Sequence, residues 1–147
     1  MVTEKQIDLF EEIEAAPCCI FHCISADLKM GKGIAKPINA KFHIRELWKN
    51  PNPNWYGTGH TICTPTDTAE HIVFNLITKE KYWQKPNYKT MEEALTHARE
   101  YFNYYRGFPK KIVMPKIGCG LDQLNWPKVK KIIERIFEGF DVTVCYL

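Results

Sequence analysis

Three segments of this chain carry residues whose types and spacing suit chemistry. The first is Met114-Pro-Lys-Ile-Gly-Cys-Gly-Leu-Asp122, where a short apolar run gives way to a loop with glycines at 118 and 120 and one carboxylate at its end. Glycine permits positive φ and lets backbone N–H groups crowd round a bound anion, because no Cβ holds the ligand away. The loop therefore reads as a phosphate cradle with an acid or base, Asp122, mounted on its rim. The second segment is Ser25-Ala-Asp-Leu-Lys-Met-Gly-Lys-Gly33, followed by a helical pattern whose N-terminal N–H groups and dipole favour an anion. The third is Thr78-Lys79, which ends the apolar run Ile72-Val-Phe-Asn-Leu-Ile77. Together they offer two phosphate cradles, one lysine and one carboxylate. Neither the glycine spacing of a P-loop nor Gly-x-Gly-x-x-Gly is present, so a nucleotide triphosphatase or a dehydrogenase is not indicated. A diphosphate held between two loops, with chemistry at one end, fits better.

The elements that must position these loops alternate between strand and helix. Cys18–Ile24 is a near-continuous apolar run, the pattern of a strand buried on both faces. After Met30-Gly-Lys-Gly-Ile-Ala35 the spacing of Ile34, Ile38 and Phe42 predicts a helix to about Trp48, with Pro37 in its first turn. Asn50-Pro-Asn-Pro-Asn54 breaks the pattern. Strands are predicted at Thr61–Thr64 and His71–Thr78. A helix is predicted from Thr90, capped with Glu93 and ended by Gly107, with Met91, Ala94, Leu95, Ala98 and Phe102 on its buried face. Lys111–Met114 is a strand, Asn125-Trp-Pro opens a last helix ending at Gly139, and Val142–Leu147 returns as a strand. This alternation argues for an α/β/α sandwich with a mixed, largely parallel sheet. In such sheets ligands bind outside the carboxyl ends of the strands, where all three segments fall.

The 147 residues suit one domain, residues 1–147, with no internal boundary. Hydrophobic residues make up 45% and charged residues 25%, as in an ordinary globular protein, and no apolar run approaches the ~18 residues that cross a bilayer. The N-terminus lacks the basic and apolar regions of a secretion signal, so an intracellular protein is expected, without a membrane partner. The six cysteines, at 18, 19, 23, 63, 119 and 145, form no Cys-x-x-Cys pair, and the histidines at 43, 60, 71 and 97 have no metal-ligand spacing. No metal and no cofactor is called for. The net charge of +3 suits a polyanionic ligand but is too small to argue for non-specific nucleic-acid binding.

Five blocks in order, His22-Cys-Ile-Ser25, Met30–Ala35, Leu76-Ile-Thr-Lys79, Lys85-Pro86 with Tyr88, and Met114–Asp122, followed by Trp126, carry a resemblance that spans about residue 7 to the C-terminus. The chain resembles the macro domain, in the branch of the terminal ADP-ribose protein glycohydrolases. The resemblance implies the three-layer macro-domain sandwich, binding of ADP-ribose and hydrolysis at its terminal ribose. It implies that Asp8, followed by Leu9, meets the adenine amino group. The backbone of Gly31, Gly33, Ile34 and Ala35, with Met30 and Ser25, and of Gly118, Cys119, Gly120 and Leu121, with Ile117, would hold the diphosphate and distal ribose. Thr78 precedes Lys79, which is similar to the family's nucleophile and would form a transient lysyl–ADP-ribose adduct. Asp122 matches the general acid/base. Lysine attacks carbon only when neutral, so the dry end of an apolar strand is a suitable mount. The sequence departs from the family pattern at Ile7, where glycine is usual, at Glu80, where a basic residue is common, and at Phe42-His-Ile44, which replaces a glycine-rich turn.

Plainer readings stand beside these. Lys79 alone is a solvated strand-end lysine, Asp122 alone a cap for the last helix, and Cys119 a structural thiol with no histidine to activate it. His22, within an apolar strand, reads as a satisfied core histidine. Asp27 either caps its loop or lines the pocket. Trp83, Trp126 and Tyr88 read as core or rim aromatics, with one of them stacking on a ribose or base as the alternative. The leading expectation is a monomeric enzyme that removes ADP-ribose from a carboxylate ester, on Glu or Asp side chains or in O-acyl-ADP-ribose. Its protein or metabolite substrate has three alternatives. One is ADP-ribose on thymine in DNA, as in the related DNA ADP-ribosyl glycohydrolase antitoxins, which Thr78-Lys-Glu-Lys-Tyr-Trp83 partly echoes. The others are ADP-ribose-1″-phosphate phosphatase activity and a non-catalytic ADP-ribose reader, which needs neither Lys79 nor Asp122.

Overall fold

A computed structural model describes residues 1–49, 56–68 and 70–147. Six strands form one sheet: β1 (Val2–Gln6), β2 (Cys18–Ser25), β3 (Thr61–Pro65), β4 (His71–Lys79), β5 (Lys111–Pro115) and β6 (Asp141–Tyr146). Their order is β1-β6-β5-β2-β4-β3, parallel throughout except for the antiparallel β3–β4 edge. The helices are α1 (Leu9–Ala15), α2 (Ala35–Phe42), α3 (Ile44–Leu47), α4 (Tyr88–Tyr104) and α5 (Trp126–Ile136). The expected mixed, largely parallel α/β/α sandwich is what forms.

The period of two along the central strands builds the layers. Cys19 and Phe21 of β2 and Phe74 and Leu76 of β4 face α4 and α5, packing with Met91, Leu95, Val129 and Ile133. Ile20 and Ile24, with Val73 and Ile77, face the other way and pack with Ile13 of α1, Ile38 of α2 and Ile44 of α3. Both faces are covered, which is why these strands read as continuous apolar runs. The chain leaves β2 toward α2 on one face and leaves β5 toward α5 on the other. The carboxyl ends of these two neighbouring strands therefore send their loops apart, and a crevice opens between them.

Several local expectations need correction. Strand β1 and helix α1 were not anticipated: β1 is an edge strand, largely exposed and polar, and its pairing with β6 replaces the missing apolar signal. The helix expected to reach Trp48 breaks at His43, whose φ of 55° is left-handed; its N–H donates to Asn39 O, closing α2, and α3 starts afresh. Helix α4 opens at Tyr88, not Thr90. Asn87 is its cap, and the reciprocal bonds run between Asn87 and Thr90 rather than to Glu93. It ends at Tyr104, and Gly107 belongs to the turn beyond. Asn125, whose side chain accepts from Lys128 N–H at 3.3 Å, caps α5, so Asp122 is released from that duty. The break expected at Asn50–Asn54 lies outside the described residues.

His22 occupies a fully buried position on β2, its Nε2 2.6 Å from Asn75 Oδ1 on β4. The Asn75 amide nitrogen donates to Ile62 O at 2.9 Å and to Thr64 Oγ1 at 3.2 Å, which turns its oxygen toward the ring. The imidazole therefore donates from Nε2, and Nδ1 has no partner among the described residues. Burial pushes its pKa down to about 4, against a smaller upward pull from the Asn75 bond. Between the ordinary histidine value and about 4, the unfolded chain holds a proton that the folded chain refuses, so stability rises with pH across that window and falls on acidification. Denaturant titrations are expected to show a loss approaching about 3 kcal/mol over that window from this residue. His22→Gln should flatten that part of the pH profile, and an unchanged slope would show that the imidazole titrates normally.

Candidate active site

Lys79 is the last residue of β4, and its backbone is held on the β2 side: Ala26 N–H donates to Lys79 O at 2.9 Å and Asp27 N–H to Glu80 O at 3.1 Å. Asp122 arrives from the β5–α5 loop. The two side chains meet, with Lys79 Nζ donating to Asp122 Oδ1 at 2.7 Å, at 16% and 14% side-chain exposure. Residues far apart in sequence thus form a half-dry ion pair across the crevice. One hydrogen bond connects an amine with a carboxylate able to take its proton.

The pair lies in a cavity of about 480 Å³. Of the residues expected at a site, Gly33, Ile34, Ala35, Lys79, Ile117, Gly118, Gly120, Leu121 and Asp122 line it. Asp8, Leu9, Ser25, Met30, Gly31, Thr78 and Cys119 do not. Asp8 Oδ1 accepts from Phe10 N–H at 2.9 Å and caps α1. Leu9 and Met30 are buried apolar residues of the α1–α3 face. Thr78 is fully buried, and its carbonyl accepts from Thr90 Oγ1 at 2.7 Å. The Cys119 thiol turns to Ile117 O at 3.2 Å, and burial pushes its pKa up to about 11, which suits an inert thiol.

Two glycines of the β5–α5 loop do different work. At Gly118, φ is +71° and an added Cβ would stand 2.7 Å from Met91 Cε and 3.0 Å from Leu124 Cδ1, so this glycine serves the fold. At Gly120 an added Cβ meets nothing within 4 Å, and the residue lines the cavity, so its missing side chain is open ligand space.

Three lysines in the lining fall within the blocks quoted from the sequence but were given no binding role there. Lys32, Lys85 and Lys116 join Lys79, against the single carboxylate Asp122 among the described residues; Lys116 Nζ is also 3.8 Å from Glu4 Oε1, so Lys32 and Lys85 supply the lining's surplus positive charge. Lys85 Nζ also donates to Leu121 O, bridging the post-β4 segment and the β5–α5 loop. Tyr82 and Trp83 form the wall beside them, Trp83 being 63% exposed, and the ammonium groups of Lys29 and Lys32 lie 4.9 and 5.4 Å from the Tyr82 ring centroid. Asp27 ties loops together: its carboxylate accepts from Ser25, Lys29 and Tyr82 and is absent from the lining. Among the described residues no group of three or more His, Cys, Asp or Glu is placed to hold a metal ion, and no helix is long and apolar enough to cross a membrane.

A six-stranded mixed sheet with helices on both faces and a cationic crevice at its switch point make a three-layer α/β fold with an anion-binding site. No family model matches the chain. Its sequence is 32% identical over 126 residues to the ADP-ribose glycohydrolase OARD1 of Bos taurus, covering 85% of this chain and 78% of that protein. It is 32% identical over 124 residues to the OARD1 of Homo sapiens, covering 84% and 76%. Among solved structures, the macrodomain of Thermus aquaticus DarG superposes with a TM-score of 0.81 at 23% identity, covering 100% of this chain and 99% of that one. The Thermosipho africanus DarTG in complex with ADP-ribose gives 0.81 at 17%, over 98% of this chain and 41% of that one. The chain belongs to the macro-domain family, in the branch of the ADP-ribose glycohydrolase OARD1.

Proposed function

We propose that the protein is an ADP-ribosyl hydrolase that releases ADP-ribose from carboxylate esters, with Lys79 as nucleophile and Asp122 as proton carrier. The observation that carries this reading is the Lys79–Asp122 contact of 2.7 Å inside a cavity with surplus positive charge. A diphosphate satisfies the surrounding lysines and the backbone of the two glycine loops, leaving the amine and the carboxylate for the far ribose. The names of the OARD1 relatives and the ADP-ribose complex of the DarTG neighbour support the same ligand.

In this mechanism Asp122 takes the proton of the Lys79 ammonium along the existing hydrogen bond. The freed Nζ lone pair forms a bond to the anomeric carbon of the terminal ribose while the bond to the ester oxygen breaks, and the electron pair leaves on the substrate carboxylate. The Lys79 adduct is then resolved by water. Asp122 gives the proton it took to solvent and is again a carboxylate; a water then loses a proton to Asp122 and forms the new C–O bond as the C–N bond of the protonated secondary amine breaks, returning the neutral Lys79 amine and free ADP-ribose. A carboxylate is a good leaving group without acid assistance, which favours ester linkages over the ethers of modified serine.

Incubation with glutamate-linked, serine-linked and thymine-linked ADP-ribose tests the linkage. Glutamate-linked substrate is expected to turn over fastest, and preference for either of the others would replace the ester assignment. ADP-ribose titration of Gly120→Val tests the cavity: the variant should fold, because its side chain enters open space, yet bind at least about tenfold more weakly through lost diphosphate approach. Unchanged affinity would remove this loop from the ligand site.

A further inference from the structure

Asp27 is 7% exposed and does not line the cavity, yet three donors converge on its carboxylate. Ser25 Oγ donates to Oδ1 at 2.5 Å, Lys29 N–H to Oδ1 at 3.3 Å, and Tyr82 N–H to Oδ2 at 2.9 Å. Burial alone would raise its pKa, but the bonds from Ser25, Tyr82 and Lys29 outweigh that and hold the carboxyl below its ordinary value. The donors belong to two segments that both border the cavity. One is the β2–α2 loop, which supplies Lys32, Gly33 and Ile34 to the lining; the other follows β4 and supplies Tyr82 through Lys85.

Neither segment is held by core packing alone. Leu28 and Met30, one and three residues after Asp27, are non-glycine residues in the left-handed region, with φ of 59° and 51°, a conformation that persists only when surrounding contacts impose it. The Tyr82–Lys85 wall is tied at its far end by Lys85 to Leu121 O and at its near end by Tyr82 N–H to Asp27. We propose that Asp27 is the positioning residue of the cavity mouth: its carboxylate clips the Tyr82–Lys85 wall to the Leu28–Gly33 loop and so sets the spacing between the two sides that receive the ligand. This rests on ADP-ribose being the ligand of the cavity. Asp27 acts through the two loops and touches neither the reacting atoms nor the Lys79–Asp122 pair.

The test is amide hydrogen exchange on the full chain, with ADP-ribose titration, in wild type, Asp27→Ala and Asp27→Asn. Glu12→Ala serves as a control. Its carboxylate is also buried, at 4% exposure between Lys5 and Lys111, but lies at the opposite end of β5 from the cavity. Asp27→Ala is expected to speed exchange of the Tyr82 and Lys29 amides at least about tenfold beyond any change in β4 core amides, and to weaken ADP-ribose binding about tenfold. Glu12→Ala should lower stability without either local effect. Asp27→Asn should recover affinity to within about threefold, because its one oxygen can keep the Tyr82 bond while its amide donates to Ser25 Oγ. Equal effects of Asp27→Ala and Glu12→Ala would overturn the proposal. If Asp27→Ala does not fold, wild type decides: a Tyr82 amide that exchanges as fast as a free peptide would equally sink it. Should wild type fail to bind ADP-ribose while its Tyr82 amide is protected and released in Asp27→Ala, the ligand assignment falls and the clip stands.

Discussion

Lys79→Ala is expected to lose at least about 10³-fold in kcat/KM on glutamate-linked ADP-ribose while changing the affinity for free ADP-ribose by less than about tenfold. The two numbers separate because the cavity holds four lysines, of which only Lys79 touches Asp122. Lys32 and Lys85 still attract the diphosphate when Lys79 is gone. The modest loss of affinity comes from an Asp122 carboxylate left without its partner near an anionic ligand. Lys79→Arg sharpens the test. Arginine keeps the positive charge and the bond to Asp122 but cannot present a neutral nitrogen, since guanidinium does not deprotonate in proteins. If Lys79 is the nucleophile, Arg should be as inactive as Ala. Near-wild-type turnover by Lys79→Arg would show that the position supplies charge only, with a water activated by Asp122 as the attacking group.

Much of this site was legible because it sits where strand periodicity ends. The runs Cys18–Ile24 and Ile72–Ile77 mark strands covered on both faces, and the loops at their carboxyl ends and after Ile112–Met114 had to converge on one edge of the sheet. The meeting of Lys79 with Asp122 follows from that topology. Elements whose order comes from partners were harder to read. Val2-Thr-Glu-Lys-Gln6 is polar and mostly exposed, and only its ladder with β6 makes it a strand. The break at His43 depends on a left-handed non-glycine residue, which no periodic pattern announces. Lys32, Lys85 and Lys116 look like ordinary loop lysines in the chain; convergence alone makes them a cationic lining. Asp27 was legible as a loop residue, while its bond to Tyr82, 55 positions away, was not.

Asp122→Ala is expected to reduce turnover by about 10²–10⁴-fold and, unlike Lys79→Ala, to accumulate a covalent species. The asymmetry lies in the two steps. Forming the adduct needs a neutral Lys79 amine and a leaving carboxylate; bulk solvent can take the amine's proton, and the carboxylate departs unaided. Resolving the adduct needs a water deprotonated at the anomeric carbon, and among the described residues Asp122 is the only carboxylate in the lining to do it. Removing it therefore slows the second step more than the first. Intact-protein mass spectrometry should show Asp122→Ala heavier by one ADP-ribosyl group after incubation with glutamate-linked substrate. Peptide mapping should place the group on Lys79, and the Lys79→Ala, Asp122→Ala double variant should carry none. An adduct that persisted in the double variant would belong to another nucleophile. Complete absence of adduct at every pH, with Asp122→Ala inactive, would mean that Asp122 works on water attacking the substrate directly, and that Lys79 only orients it.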